Sequence, residues 1–467
     1  MLKLNKLVIA MATAFAATSA FAAPVTPTDI QNAGANLQQA WITGASAPSY
    51  NVFLGFASKC QDNTLSIFHA GTAAGSVRPG SSSAGNHLAY ACVIAGKTTV
   101  LYFTNQGGSV NAFSPHVASS LTGGTVVTNL NRLQNVATAT CAPTATLSVT
   151  TAHQPAAQIY KCTGATVNGF AVTDNTPKKP VGGFSDVEPA LFGIDVTGKG
   201  TVVNTGVTQV FGVLASDSLY RALQAQQNIS ESSTFLPQNA PNITRAQYAA
   251  LISDASSATW KPLLPNDADA EVIIARRVDT SGTQASSNAF FLGNPCNGNP
   301  ATGGSLNPAT AADSAEGIYT VIEGAETGNV RDALIAANAA GKYALGVVSL
   351  ENATVAGYHY VKLDGVHPET GAAVNTTDAF ARYTSAQGNY GFQIDLKAFK
   401  ASSATGFGAT VIDEILSGFN TVACSDVPRG LLLNNSTSAC GGTANEGVVV
   451  SKVTRQGNNC RPLTSKF

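Results

Sequence analysis

Charge is scarce in this chain of 467 residues. Asp, Glu, Lys and Arg make up 11% of it, well below the roughly 25% of an average soluble protein. The 26 basic and 27 acidic residues nearly cancel, for a formal net charge of -1. No broad basic field is present to draw in nucleic acid or an anionic lipid surface, so polyanion binding is excluded as a function class. No C-x-x-C pair occurs, and the histidines (His69, His87, His116, His153, His359 and His367) are scattered without an i,i+4 pair, so neither pattern supports a zinc site. The acidic run Asp267-Ala268-Asp269-Ala270-Glu271 lacks the glycine and spacing of a calcium loop. A Gly-x-Ser-x-Gly elbow and a Walker A loop are both missing, which removes the usual markers of serine hydrolases and nucleotide hydrolysis. No cofactor is expected.

What is present is apolar and small. Hydrophobic residues make up 44% of the chain, enough to bury a substantial core, and the length suits two or three domains. The first residues read as a secretory signal. Lys3 and Lys6 give a basic start, an apolar run extends from Leu7 to Ala17, and Ala20-Phe21-Ala22 is a small-x-small cleavage site. That run is too short to span a bilayer, and no later stretch is apolar enough to do so. No cysteine follows the cleavage point to carry a lipid. Export to the periplasm or beyond is therefore expected, without membrane insertion. The eight cysteines fit that compartment as disulfides. Eight cysteines allow 105 pairings; the preferred one joins Cys60 to Cys92 and Cys141 to Cys162. It then pairs Cys296 with one of Cys424, Cys440 and Cys460.

Strands and helices alternate along most of the chain. Ala40–Ile42 reads as a strand leading through small residues to a helix over Tyr50–Cys60. Thr98–Phe103 is a β-branched and aromatic strand that ends at Asn105-Gln106-Gly107-Gly108. Ser119–Gly182 reads as an insertion of short strands with its own disulfide. Val207–Leu214 is a strand before a helix over Ser218–Gln227, capped by Asp217 or Ser218. Thr244–Asp254 reads as a helix with Thr244 as N-cap. Ala270–Ala275 is a strand and Thr283–Leu292 a helix; Val330–Ala340 is a helix and Tyr343–Ser349 a strand. This order predicts an α/β fold with layers of helices on a sheet. Trp41 and Trp260 adjoin apolar segments and belong to the core.

The segment Ala270–Phe291 carries the most chemistry. An apolar strand delivers Arg277-Val278-Asp279-Thr280-Ser281-Gly282-Thr283, and a helix then begins. Ser281, Gly282 and Thr283 fall in its first turn, where backbone N–H groups lack intrahelical acceptors and can bind an oxyanion. Gly282 admits close approach to the backbone. Arg277 can donate a planar pair of hydrogen bonds. Asp279, two residues on, would share its side of an extended segment and fix its rotamer. The plain alternative is an ordinary helix cap beside a surface Arg–Asp pair.

The run Arg277–Thr283 resembles the phosphate-contacting signature of the periplasmic phosphate-binding proteins that serve ABC importers. Other pieces resemble that family in its order. Ile42–Ser49 is similar to its first strand and small-residue anion loop, Thr104–Ser109 to its second glycine-rich helix start, and Gly183-Phe184-Ser185-Asp186 to the turn that supplies an aspartate. Two departures stand out: Pro48, which cannot donate a backbone hydrogen bond, and Asn105, where the family commonly has Ser. The resemblance implies a two-lobed, Venus-flytrap-like α/β fold with β-rich insertions at about 62–100 and 110–182. Residues 23–214 and 346–467 would form lobe one, and 215–345 lobe two.

It also implies that Arg277, Ser281, Gly282 and Thr283 donate to the anion, with Asp279 orienting Arg277. Ser46, Ser49, Ser185, Thr104 and Asn105 would line the same site. Asp186 would accept a hydrogen bond from a protonated phosphate oxygen. Sulfate carries no proton near neutral pH, so a buried carboxylate favours phosphate over it. The implied protein is not an enzyme. It is a monomeric solute-binding protein for phosphate or a similar oxyanion, with an ABC permease as partner. The other classes compatible with the sequence are an exported structural or adhesive protein and a phosphoester hydrolase using Ser281 or Ser185 as nucleophile.

Overall fold

The structure, a computed structural model, describes residues 22–466 apart from 118–129, 135, 137–139, 150–153, 164–165, 169–178, 232–234, 254–257, 299–307, 309–318, 370–381 and 441–445. The expected signal segment, residues 1–22, lies outside the described residues except for its last residue, as does much of the 119–182 insertion.

Among the described residues, a mixed sheet of 14 strands organises the molecule. Twelve strands lie on its main path. The first half of the chain contributes β1 (Gln38–Gly44), β2 (Ser66–His69), β3 (His87–Ile94), β4 (Lys97–Thr104), β5 (Thr140–Ser148), β6 (Ala156–Thr163) and β7 (Gly182–Ser185). The rest of the chain contributes β8 (Gly200–Ser216), β9 (Val272–Arg277), β10 (Tyr319–Gly324), β11 (Ala344–Ser349) and β12 (Gln393–Ala401). Their spatial order is β10-β9-β11-β8-β12-β7-β1-β4-β3-β2-β6-β5. Short strands at Tyr358–Tyr360 and Leu431–Leu433 also pair with β8.

Two parallel triplets sit within this order. β1 runs parallel to β4 and to β7, so Thr43 lies beside both Thr104 and Gly183. β9 runs parallel to β10 and to β11. The 17-residue β8 joins them, pairing antiparallel with β12 along its first part and with β11 along its last. A bulge between Asn204 and Thr208, with Gly206 at φ 76°, interrupts β8. Period-two alternation breaks there, which explains why the sequence shows a strand only from Val207 although it begins at Gly200.

The predicted helices take their places as α1 (Ser49–Ala57), α2 (Asp217–Gln226), α3 (Arg245–Ser253), α4 (Gly282–Ser287) and α5 (Thr327–Ala339), and a further helix, α6, spans Phe407–Phe419. Thr244 caps α3, accepting from the Gln247 amide at 3.1 Å. The cap of α2 is Ser216, which accepts from the Leu219 amide, rather than Asp217 or Ser218. Asp217 is instead held by His359 and the Gly357 amide. The expected helix to Leu292 is α4 followed by a wider π turn over Asn288–Leu292.

Alternation along β1 and β4 sorts side chains between the two faces of the sheet. Ile42, Leu101 and Phe103 pack with Tyr90 under α1 and α6. Trp41, Val100 and Tyr102 pack with Phe68 and Tyr160 on the opposite face. A third cluster combines Val213, Ile274 and Val348 with Phe113, Val187 and Phe192, so apolar packing is continuous between the two triplets. Trp41 and Trp260 are both fully buried. Four disulfides close the chain: Cys60–Cys92, Cys141–Cys162, Cys296–Cys460 and Cys424–Cys440. The second ties β5 to β6, so this part of the insertion extends the main sheet.

Candidate functional site

The carboxyl ends of the two triplets meet. In one triplet these ends lead into the loops at 45–48, 105–109 and 185–187. In the other they lead into 278–281, 325–326 and 350–352. Strand carboxyl ends in parallel sheets are the usual place for a ligand, because helix starts and loop amides collect there. The Val110 amide donates to Thr280 O at 3.2 Å, and Asn86 Nδ2 donates to Glu326 Oε1 at 2.7 Å.

Gly282 marks the closest approach. A Cβ there would lie 2.4 Å from Ser109 Oγ and 2.5 Å from Asp186 Oδ2. The start of α4 therefore rests directly on the turn after β7 and the loop after β4. Ser281 stands at the N-cap in extended conformation, and the Ala285 amide donates to its carbonyl at 3.0 Å. Ser281, Gly282 and Thr283 are all buried.

Arg277 ends β9 and is 8% exposed, little enough that its charge must be satisfied by protein or ligand. Its Nε donates to Gly324 O at 3.2 Å, Nη1 to Thr327 Oγ1 at 2.8 Å and Nη2 to Ala325 O at 2.8 Å. The turn between β10 and α5 thus fixes the guanidinium, and among the described residues two of its five N–H groups are left for another acceptor. Asp279 does not take part in that fixation. The strand ends at Arg277, so the i,i+2 alternation that would align the two side chains does not continue into the turn. Burial and the nearby Glu323 raise the Asp279 carboxyl above the usual range.

Asp186 faces this guanidinium from the other triplet. Ser109 Oγ donates to its Oδ2 at 3.0 Å, while Oδ1 is buried with no hydrogen-bond partner among the described residues. Burial pushes its pKa up to about 6, against the Ser109 hydrogen bond and the Arg277 charge, which both pull it down. Desolvation lowers the Arg277 pKa, and Asp186, Glu326 and Glu351 oppose that. A second carboxyl acts electrostatically on the same pair: Glu351, two residues beyond β11. Burial and then the Asp186 charge push its pKa up to about 7, with Ser349 and Arg277 acting the other way. Sequence reading missed Glu351 and the role of Ser109. Glu351 sits in an irregular turn without a motif; Ser109 closes the glycine-rich loop Thr104–Ser109.

The remaining predicted residues divide. Ser49 is buried at the start of α1 and accepts from Asn105 Nδ2 at 3.3 Å, so the first two loops do join; Asn105 Oδ1 is buried without a partner among the described residues. Ser46 is exposed. Ser185 Oγ donates to Val187 O at 2.7 Å and serves its own turn. Thr104 points to the other face of β4, accepting from Trp41 Nε1 at 3.1 Å and donating to Asn131 O at 2.8 Å. Both of its hydrogen-bonding roles are used there, which removes it from the cluster around Asp186.

No protein-family model matches the chain, and no curated protein is significantly similar to it. Three solved structures show distant likeness. A protein from Clostridium perfringens, assigned as a phosphate ABC transporter substrate-binding protein and solved with phosphate, is 11% identical. The match covers 82% of this chain and 93% of that one at a TM-score of 0.35. An ABC-type phosphate transport receptor from Vibrio cholerae is 11% identical over 50% of this chain and 72% of that one, at TM-score 0.30. A protein from Planctomyces limnophilus assigned as phosphate-binding is 12% identical over 51% and 69%, at TM-score 0.27. Likeness at this level establishes no shared activity, so the chemistry of the site stands on its own geometry.

Proposed function

We propose that this chain is an exported solute-binding protein that holds phosphate, or a similar tetrahedral oxyanion, where the two sets of strand ends meet. The observation that carries this reading is the meeting of Arg277, Gly282 and Asp186 in one buried cluster, with Asp186 Oδ1 left without a hydrogen-bond partner among the described residues. A dehydrated oxyanion must regain hydrogen bonds from protein groups. The two remaining Arg277 N–H groups and the amides at the start of α4 can supply them without a large positive field. Asp186 would accept from a protonated oxygen, which phosphate has and sulfate lacks near neutral pH.

In this reading residues 23–214 and 346–467 act as one lobe and 215–345 as the other, with release by their separation about β8. An ABC permease would receive the cargo. Capture rather than turnover is supported by Ser185, whose hydroxyl is committed to Val187. Calorimetric titration of the mature protein with phosphate, sulfate and arsenate tests the reading. Phosphate binding that is lost in a folded Arg277→Ala variant is expected. Absence of affinity for any of the three anions refutes it.

A further inference from the structure

We propose that Glu351 is a specificity-determining residue of this site: together with Asp186 it makes the site take an oxyanion with two protons shared across two carboxylate contacts. The inference rests on the phosphate reading and goes beyond it, since a single aspartate would ask for only one proton.

The placement comes from the fold. β11 lies beside β9 in parallel register, Ala275 opposite Gly346, so the turn after Ser349 emerges next to the end of the strand that carries Arg277. Gly430 fixes that turn from behind. At φ 79° it approaches so closely that a Cβ would sit 2.5 Å from the Glu351 amide nitrogen. The charged and titratable groups around Glu351 are Asp186, Arg277 and the Tyr360 phenol, with the Ser349 hydroxyl beside it. Glu326 acts on Arg277 from the start of α5. One guanidinium thus serves three carboxyls, Asp186, Glu351 and Glu326, and the electrostatic balance of the site is incomplete until a further proton or cationic donor is supplied.

Counting protons gives the consequence. A carboxylate and a phosphate oxygen are both acceptors, so each contact between them needs one proton. Above neutrality the free partners are hydrogen phosphate, with one proton, and two carboxylates, with none. Two contacts need two protons, so binding draws one proton from solvent. With Asp186 as the only carboxylate the phosphate brings its own proton and none is taken up. In Glu351→Gln the carboxamide N–H can donate to the phosphate, and uptake disappears.

The experiment is calorimetric titration of phosphate into the mature protein near pH 8.5, in buffers of different ionisation enthalpy, for wild type and Glu351→Gln. Wild type should take up about one proton, and its affinity should rise about tenfold for each pH unit of acidification toward neutrality. Glu351→Gln should take up about none and lose that slope while still binding phosphate. Wild-type binding without proton uptake overturns the inference even if the variant fails to fold, as does unchanged uptake in a folded variant. Both outcomes leave the phosphate reading intact. Absence of wild-type phosphate binding overturns both.

Discussion

Replacing Asp186 with Asn should make the protein more stable while spoiling its selectivity. Asp186 is 5% exposed, its Oδ1 has no partner among the described residues, and burial raises its pKa from 3.8 to about 6. That rise corresponds to about 3 kcal/mol of preference for the neutral acid. The folded state binds the proton more tightly than the unfolded chain, so stability is greatest below the unfolded pKa and is lost as pH rises through about 6. By about pH 8 the whole cost is present. Asn keeps the shape and an oxygen for Ser109 Oγ but carries no charge to desolvate. Urea unfolding near pH 8 should therefore show Asp186→Asn more stable by about 3 kcal/mol, with the difference falling to about half near pH 5. The same variant should discriminate less between phosphate and sulfate, because its amide can donate where the carboxylate could only accept. A residue that costs stability yet is indispensable for selectivity is what a binding site demands. A variant of equal or lower stability at pH 8, with no pH dependence in the difference, would refute the reasoning.

Other sites give sharper contrasts. Gly282→Ala drives a methyl group into Ser109 Oγ and Asp186. It should cost about 1–3 kcal/mol by overpacking and weaken phosphate binding at least about tenfold. Gly328→Ala, in α5 with nothing within 4 Å of the new Cβ, should raise thermal stability slightly and leave binding alone. Thr104→Val removes its hydrogen bonds to the Trp41 indole N–H and the Asn131 carbonyl, so unfolding should become easier by about 1–3 kcal/mol. Phosphate affinity measured calorimetrically should not move, since the hydroxyl faces away from the cluster. Acidification from about pH 8 to pH 5 should let sulfate bind. Asp186 and Glu351 take up protons across that range and become donors to an anion that has none. Sulfate affinity that stays flat over the same range would contradict their presence beside the anion.

The strand-to-helix junction at 272–287 was legible because two local signals agree there. The run Val272–Ala275 is apolar and β-branched, and Ser281-Gly282 offers a cap and a close-approach residue. The first loops and the Ser185-Asp186 turn were legible as short small-residue segments after apolar strands. Their detailed contacts were not, because side-chain direction depends on where each strand stops. Thr104 is still inside β4 and follows its alternation to the Trp41 face, whereas Asn105 is past the end and turns inward. The same effect separates Arg277 from Asp279. Glu351 could not be found locally at all, since its partners Asp186 and Arg277 are brought to it by strand order. Disulfide pairing succeeded where partners were close along the chain, as for Cys60–Cys92 and Cys141–Cys162. The Cys296–Cys460 link spans 164 residues, and sequence narrowed it only to one of three cysteines.

A crystal structure determined with phosphate present tests the central claim most directly. It should place a tetrahedral ion within hydrogen-bond reach of the Arg277 guanidinium, the amides at Gly282 and Thr283, and Asp186 Oδ1. Phosphate seated elsewhere, or Arg277 and Asp186 turned away from it, would contradict the account.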